Sequence, residues 1–234
     1  MISMDVPLKP LSVSRERYER IYRLIRDRIC LLEYKPGARL AEEDLAREFG
    51  VSRTPIRRVL SRLENEGLLT SRHGVGTFVT DIDLGSLIQV YRLRMELAEM
   101  MGRLDPLPRT SADLDQVRAL IARSDLLVKE PDGRAYARLN MDFFQELSSM
   151  IGNQPLKEIT CRLYYQTTRI WLTMVPHLNL PEEIAIFRRE MMDILEAMEL
   201  GDFEAVGHIR RSHISMSVKR MTLFSHHESS SDVI

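Results

Sequence analysis

The stretch "GVSRTPIRRVLSRLENEGLL", residues 50–69, decides the fold. Arg53, Arg57, Arg58 and Arg62 come before any acid, and the chain then turns apolar around Gly67. Helical spacing puts Ile56, Val59, Leu60 and Leu63 on one buried stripe. At about 100° per residue, Thr54, Arg57, Arg58 and Ser61 project from the opposite side, flanked by Arg53 and Arg62. Ser52 is placed to cap this helix, and Pro55 falls in its first turn, where a missing N–H does no harm. Because the first acid is Glu64, the charge on this face is unmixed. We therefore expect its guanidinium groups to lack acidic neighbours and to meet an external anion, in preference to a merely solvated surface.

The flanks give the unit its shape. Upstream, "EEDLAREF" predicts a short helix with Leu45, Ala46 and Phe49 inward and acids in the first turn, ended by Gly50 as a left-handed cap. Before it, Tyr18, Ile21, Tyr22, Ile25 and Ile29 form the stripe of a helix from about Glu16 to Leu32, broken by "EYKPG". Downstream, "LLTSRHGVGTFVTD" predicts two short strands around a glycine turn, with Leu69, Phe78 and Val79 inward. The result is a winged helix-turn-helix over residues 13–80. In such units the second helix enters the major groove with its N-terminal residues toward base edges, and arginine can grip guanine O6 and N7 together. Double-stranded DNA is the expected partner.

The rest of the chain has a different character. Of 234 residues, 44% are hydrophobic and 29% charged, which describes a globular protein of two ordinary domains. The formal charge of −1 hides a split: residues 1–80 hold 15 Lys+Arg against 11 Asp+Glu, and the remainder 18 against 23. Cys30 and Cys161 are too few and too far apart for a disulfide framework, so a reducing cytoplasm is expected. No apolar run reaches the length of a membrane span, and "MISMDVPLKP" lacks the apolar core of a secretory signal. Residues 1–12 read as a loose arm. Residues 83–224 carry six helical periods, at about 84–104, 111–129, 132–151, 154–174, 181–200 and 203–223. The breakers "DPLP", "EPDG", "GNQP", "HLNLP" and "GD" separate them. Their apolar stripes can close into a bundle. Residues 225–234 are polar and expected to be disordered. The fold class is mainly α.

"PGARLAEEDLAREFGVSRTPIRRVLSRLENEGLL" followed by "RHGVGTFV" resembles the winged-helix domain of GntR-type bacterial transcriptional regulators. The resemblance implies base and phosphate contacts from Arg53, Thr54 and Arg57, and wing contacts from His73 and Gly74. Arg58 departs from the glutamate usual there and adds a positive charge on or beside the reading face. The segments "VYRLRMELAEMM", "NMDFFQELSSMIGNQPL" and "REMMDILEAMELGDFEAVGHIRRSHI" resemble the FCD domain of the FadR-like branch, which binds effectors and dimerises. Many members hold a metal through an aspartate and a histidine on one helix plus histidines from the last two helices. Here those positions are Asn140, Phe144, Met191 and His213. Only His213 matches, so the resemblance implies an effector pocket at these residues without a metal or other cofactor.

Phe144 and Met191 make that interior less polar, leaving two outcomes: a cavity for an apolar or amphipathic effector, which is favoured, or a filled core. Arg94 complicates the first, because its spacing places it within the stripe of Leu87, Val90, Tyr91, Leu97, Ala98 and Met101. It also matches an arginine of the family. Its partner is either an effector carboxylate or phosphate, or an acid on a neighbouring helix or subunit. The function expected is a metabolite-responsive repressor that reads a pseudo-palindromic operator as a homodimer. The alternative, an enzyme built on the helical domain, lacks a nucleophile with its base, a phosphate-cradling loop or a ligand set among His73, His177, His208, His213, His226 and His227.

Overall fold

The computed structural model describes residues 13–174 and 177–231, with no side-chain description for Leu84 or from Phe224 onward. The arm expected over residues 1–12 lies outside the described residues. The chain divides into two compact units, residues 1–81 and 82–234.

In the first unit, α1 (Val13–Cys30), α2 (Glu42–Phe49) and α3 (Arg53–Asn65) pack with a small sheet of β1 (Arg39–Leu40), β2 (Leu69–Arg72) and β3 (Gly76–Val79). The stripes behave as their spacing requires: Ile21, Ile25, Ile29, Ile56, Val59 and Leu63 are sealed from solvent. Each such side chain contributes about 1.5–3 kcal/mol through burial. Gly50 adopts φ 58°, ψ 45°, the left-handed turn that lets α2 stop and α3 start at an angle. Two details differ from expectation. The Ser52 side chain makes no capping hydrogen bond. The sheet also has a third strand, in the order β1-β3-β2, in which Arg39 pairs with Phe78 and Leu40 with Thr77. Two residues are too few to show an alternating pattern, so β1 is visible only through its partner.

The second unit consists of α4 (Leu84–Arg103), α5 (Ser111–Lys129), α6 (Gly133–Ser149), α7 (Gln154–Met174), α8 (Leu180–Glu199) and α9 (Phe203–Ser231). The expected breaks carry real caps. The Asp83 carboxylate accepts from the backbone N–H groups of Gly85 and Ser86, Thr110 and Asp113 form a capping box, and Asp132 accepts from Ala135. α4 packs on α9 and α7, α5 on α8 and α6, and α8 on α9. The α4–α9 approach is close because Gly102 has no side chain: a Cβ there would stand 1.8 Å from the Phe203 carbonyl oxygen. One apolar cluster is built on Leu139, Phe143, Leu147, Ile184, Phe187 and Ile194. A smaller one is built on Tyr91, Ala98, Ile170, Ile214 and Met221, and Trp171 packs against both. Met101, Met150, Met191, Met198 and Met221 fill these cores and Met141 is also fully buried, so much of the methionine content is packing. The segment expected to be disordered from residue 225 instead continues the α9 backbone to Ser231, and residues 232–234 lie outside the described residues.

Candidate nucleic-acid interface and bundle cavity

On α3, Arg53, Thr54, Arg57, Arg58 and Ser61 are exposed, as the helical spacing predicts. The arginines do not, however, lack acidic neighbours. Arg57 donates from Nε to Glu42 Oε1 at 2.9 Å and from Nη2 to Glu42 Oε2 at 3.0 Å. Arg53 donates from Nε and Nη2 to Glu42 Oε2 at 3.3 and 3.2 Å, and from Nη1 to Glu43 Oε1 at 2.9 Å. Arg62 pairs with Glu19 and Glu66 and lies 3.6 Å from the centroid of the Tyr22 ring. Glu66 caps α3 itself, one turn past Arg62, but Glu19, Glu42 and Glu43 come from α1 and α2, up to 43 positions away, so reading the charges along α3 alone could not find them. The hydrogen bond from Arg57, outweighing partial desolvation and helped by Arg53, holds the Glu42 carboxyl below its usual range. Exposed pairs of this kind contribute only about 0–1 kcal/mol, so polyanionic phosphates can compete with them.

Arg58 is placed differently. Its guanidinium lies 5.4 Å from the centroid of the Tyr18 ring, toward α1, which sets the extra charge beside the face formed by Arg53 and Arg57. His73 and Gly74 stand exposed in the turn joining β2 to β3, with Gly74 at φ 71°.

In the bundle, a cavity of about 50 Å³ lies between α4, α6, α7, α8 and α9. Arg94, Asn140 and His213 line it, whereas Phe144 and Met191 do not. Phe144 is stacked on Tyr164, with ring centroids 3.6 Å apart, and Met191 is fully buried in the larger core cluster. Both apolar replacements went into packing. The walls are consequently polar: Glu183 takes a two-pronged pair from Arg220 at 2.6 and 2.9 Å, and Glu190 pairs with Arg210 at 2.5 Å. His213 Nδ1 lies 3.7 Å from Glu190, and Asn140 Oδ1 accepts from the Tyr164 hydroxyl at 2.8 Å.

Two guanidinium groups at this cavity are buried to the same depth and fare differently. Burial pushes the Arg210 pKa down, but the charge and hydrogen bond of Glu190 outweigh it and leave the group raised. Burial lowers Arg94, and the neighbouring Arg210 adds to the effect against the opposing contributions of Tyr91 and Tyr164. Arg94 donates to the Thr167 hydroxyl at 2.5 Å and lies between the Tyr91 and Tyr164 rings, 5.1 and 5.2 Å from their centroids. Among the described residues no carboxylate lies within ion-pairing distance of it. A neutral hydroxyl and two ring faces do not neutralise a cation that stays protonated. The acid considered as its alternative partner is therefore not supplied by the described residues.

The model for bacterial regulatory proteins of the gntR family matches residues 17–79, and the FCD domain model matches residues 89–216. The chain belongs to the GntR family. This GntR chain is 31% identical over 199 residues to an uncharacterized HTH-type transcriptional regulator in an unstable DNA locus of Streptomyces ambofaciens, covering 83% of this chain and 80% of that one. It is 23% identical over 206 residues to the HTH-type transcriptional repressor RspR of Escherichia coli K12, covering 87% and 89% respectively. Its fold is similar to that of E. coli McbR/YncC, with a TM-score of 0.75 at 20% identity over 92% of this chain and 99% of that one. The protein is thus a DNA-binding transcriptional regulator and not an enzyme. Among the described residues no helix is long and apolar enough to cross a membrane.

The metal that the FCD resemblance implies does not fit the residues present in this GntR regulator. Asn140 is engaged by Tyr164, Phe144 has no donor atom, Met191 is sealed in the core, and His213 is left with an anionic neighbour already held by Arg210. Among the described residues no group of three or more His, Cys, Asp or Glu is placed to hold an ion.

Proposed function

We propose that this cytoplasmic GntR regulator is a homodimeric repressor that reads a pseudo-palindromic operator through Arg53, Thr54, Arg57, His73 and Gly74, with Arg58 contacting the backbone, and that a small organic anion bound at Arg94 controls it. Repression is inferred from the RspR relative, an HTH-type transcriptional repressor. One winged helix covers a short half-site, which favours a two-fold arrangement. The contrast between paired Arg210 and Arg94 carries the effector class, since a buried guanidinium gains most from a carboxylate or phosphate. The ion pairs of Glu183 and Glu190 disfavour the apolar effector expected from sequence, because such a molecule would desolvate charged walls without replacing their hydration. The cavity volume suits a compact ligand of a few non-hydrogen atoms. Differential affinity of that anion for two bundle conformations would shift the population competent to bind DNA.

The test is a melting series with short mono- and dicarboxylates, sugar acids and inorganic phosphate, followed by the fluorescence of Trp171, the chain's one tryptophan and part of the cavity wall. An anion at about a hundred times its Kd should stabilise the bundle by about 2.7 kcal/mol. Arg94→Met should abolish that response while leaving the bundle folded. A response retained in Arg94→Met, or one given only by uncharged apolar compounds, would overturn the assignment.

A further inference from the structure

We infer that Glu42 is a positioning residue that presets Arg57 as a fork for guanine; this rests on the reading that Arg57 meets a base edge. A guanidinium can form paired hydrogen bonds along its Nε–Nη2 edge or its Nη1–Nη2 edge. Glu42 occupies the first edge of Arg57 with both carboxylate oxygens, at 2.9 and 3.0 Å. No acceptor among the described residues takes the Nη1 protons. The terminal edge is therefore the one left for guanine O6 and N7, and the carboxylate fixes the plane in which it is presented.

Arg53 shows why the arrangement is selective. Its Nε–Nη2 edge also rests on Glu42, but its Nη1 is taken by Glu43, so both sides of that guanidinium carry a carboxylate. Glu42 thus leaves a free fork on Arg57, while Glu43 closes the one on Arg53.

The burial of the pair fits a support beneath a reader. The Glu42 side chain is 24% exposed and that of Arg57 67%. Glu42 is also the first residue of α2, where the helix dipole favours a carboxylate, and its lowered pKa keeps it charged. A negative charge this near a duplex weakens sequence-independent attraction to phosphate. In exchange, the fork is ordered before binding, so less rotamer freedom is lost on contact.

The experiment uses the full chain and a duplex selected by the wild-type protein from a random library, with an unselected duplex of equal length as reference. Anisotropy titrations give the ratio of the two affinities for wild type, Glu42→Gln, Glu42→Asp and Arg57→Ala. Circular dichroism melts confirm folding. Glu42→Gln should bind the unselected duplex more tightly while its ratio falls about ten-fold or more. Glu42→Asp keeps the charge but loses reach, so it should lose the ratio without gaining on unselected DNA. If Arg57→Ala collapses the ratio and both Glu42 variants keep it, Glu42 is only a clip between α2 and α3 and the inference is wrong. If Arg57→Ala also keeps it, the reading of Arg57 fails first.

Discussion

Glu190→Ala is expected to destabilise the bundle by about 3–5 kcal/mol at neutral pH. The Glu190 and Arg210 side chains are 6% and 8% exposed, and their 2.5 Å pair ties α8 to α9. Removing the carboxylate leaves a guanidinium that cannot discharge by losing its proton, in a site where Arg94 already contributes a second uncompensated cation. The cost is that of stranding a charge, which the double variant tests. Glu190→Ala with Arg210→Met should recover most of the loss, since replacing a whole buried pair by apolar side chains is near neutral. Denaturant unfolding followed by Trp171 fluorescence isolates the bundle, because the first unit contains no tryptophan. A loss below about 1 kcal/mol, the range of solvated pairs, would show that the pair is hydrated in solution.

The second large effect belongs to DNA. Arg57→Ala should weaken binding to a selected operator by about 1–3 kcal/mol, or roughly 5- to 150-fold, with a much smaller loss on unselected duplex. The reason is geometric: Arg57 is exposed on the face of α3 opposite Ile56, Val59, Leu60 and Leu63, with one edge of its guanidinium unclaimed. Arg57→Lys should fail to restore the loss, because an ammonium presents a point charge and no planar fork. Equal losses on both duplexes would reassign Arg57 to the phosphate backbone.

The architecture could be read from residue spacing because its determinants are local. Gly50, the stripe of α3 and the breakers between the bundle helices each act within a few positions, and the structure uses them as written. What failed were inferences about partners distant in sequence. Glu42 and Glu43 beside Arg53 and Arg57 lie on α2, and Glu19 beside Arg62 lies on α1, so an unmixed run of charge along one helix does not establish an unpaired face. The bundle gave the same lesson twice. Phe144 and Met191 occupy positions where the FCD resemblance implies ligands, yet Phe144 stacks on Tyr164 and Met191 sits in the adjoining core, and neither lines the cavity. Arg94 was visible as a charge within an apolar stripe, but only the assembled helices reveal that Thr167, and no described acid, answers it. The ion pairs of Glu183 with Arg220 and Glu190 with Arg210 had no sequence signal beyond helical phase, and they decide the polarity of the pocket.

The most direct measurement is the binding of the wild-type chain to its selected duplex and to an unselected one across a salt series, with the number of protomers per duplex read by light scattering. The account predicts two protomers on the selected duplex, a preference over unselected DNA of about a thousand-fold or more, and affinity that falls linearly on a log–log plot against salt. Equal affinity for both duplexes, or no binding at low ionic strength, would contradict it.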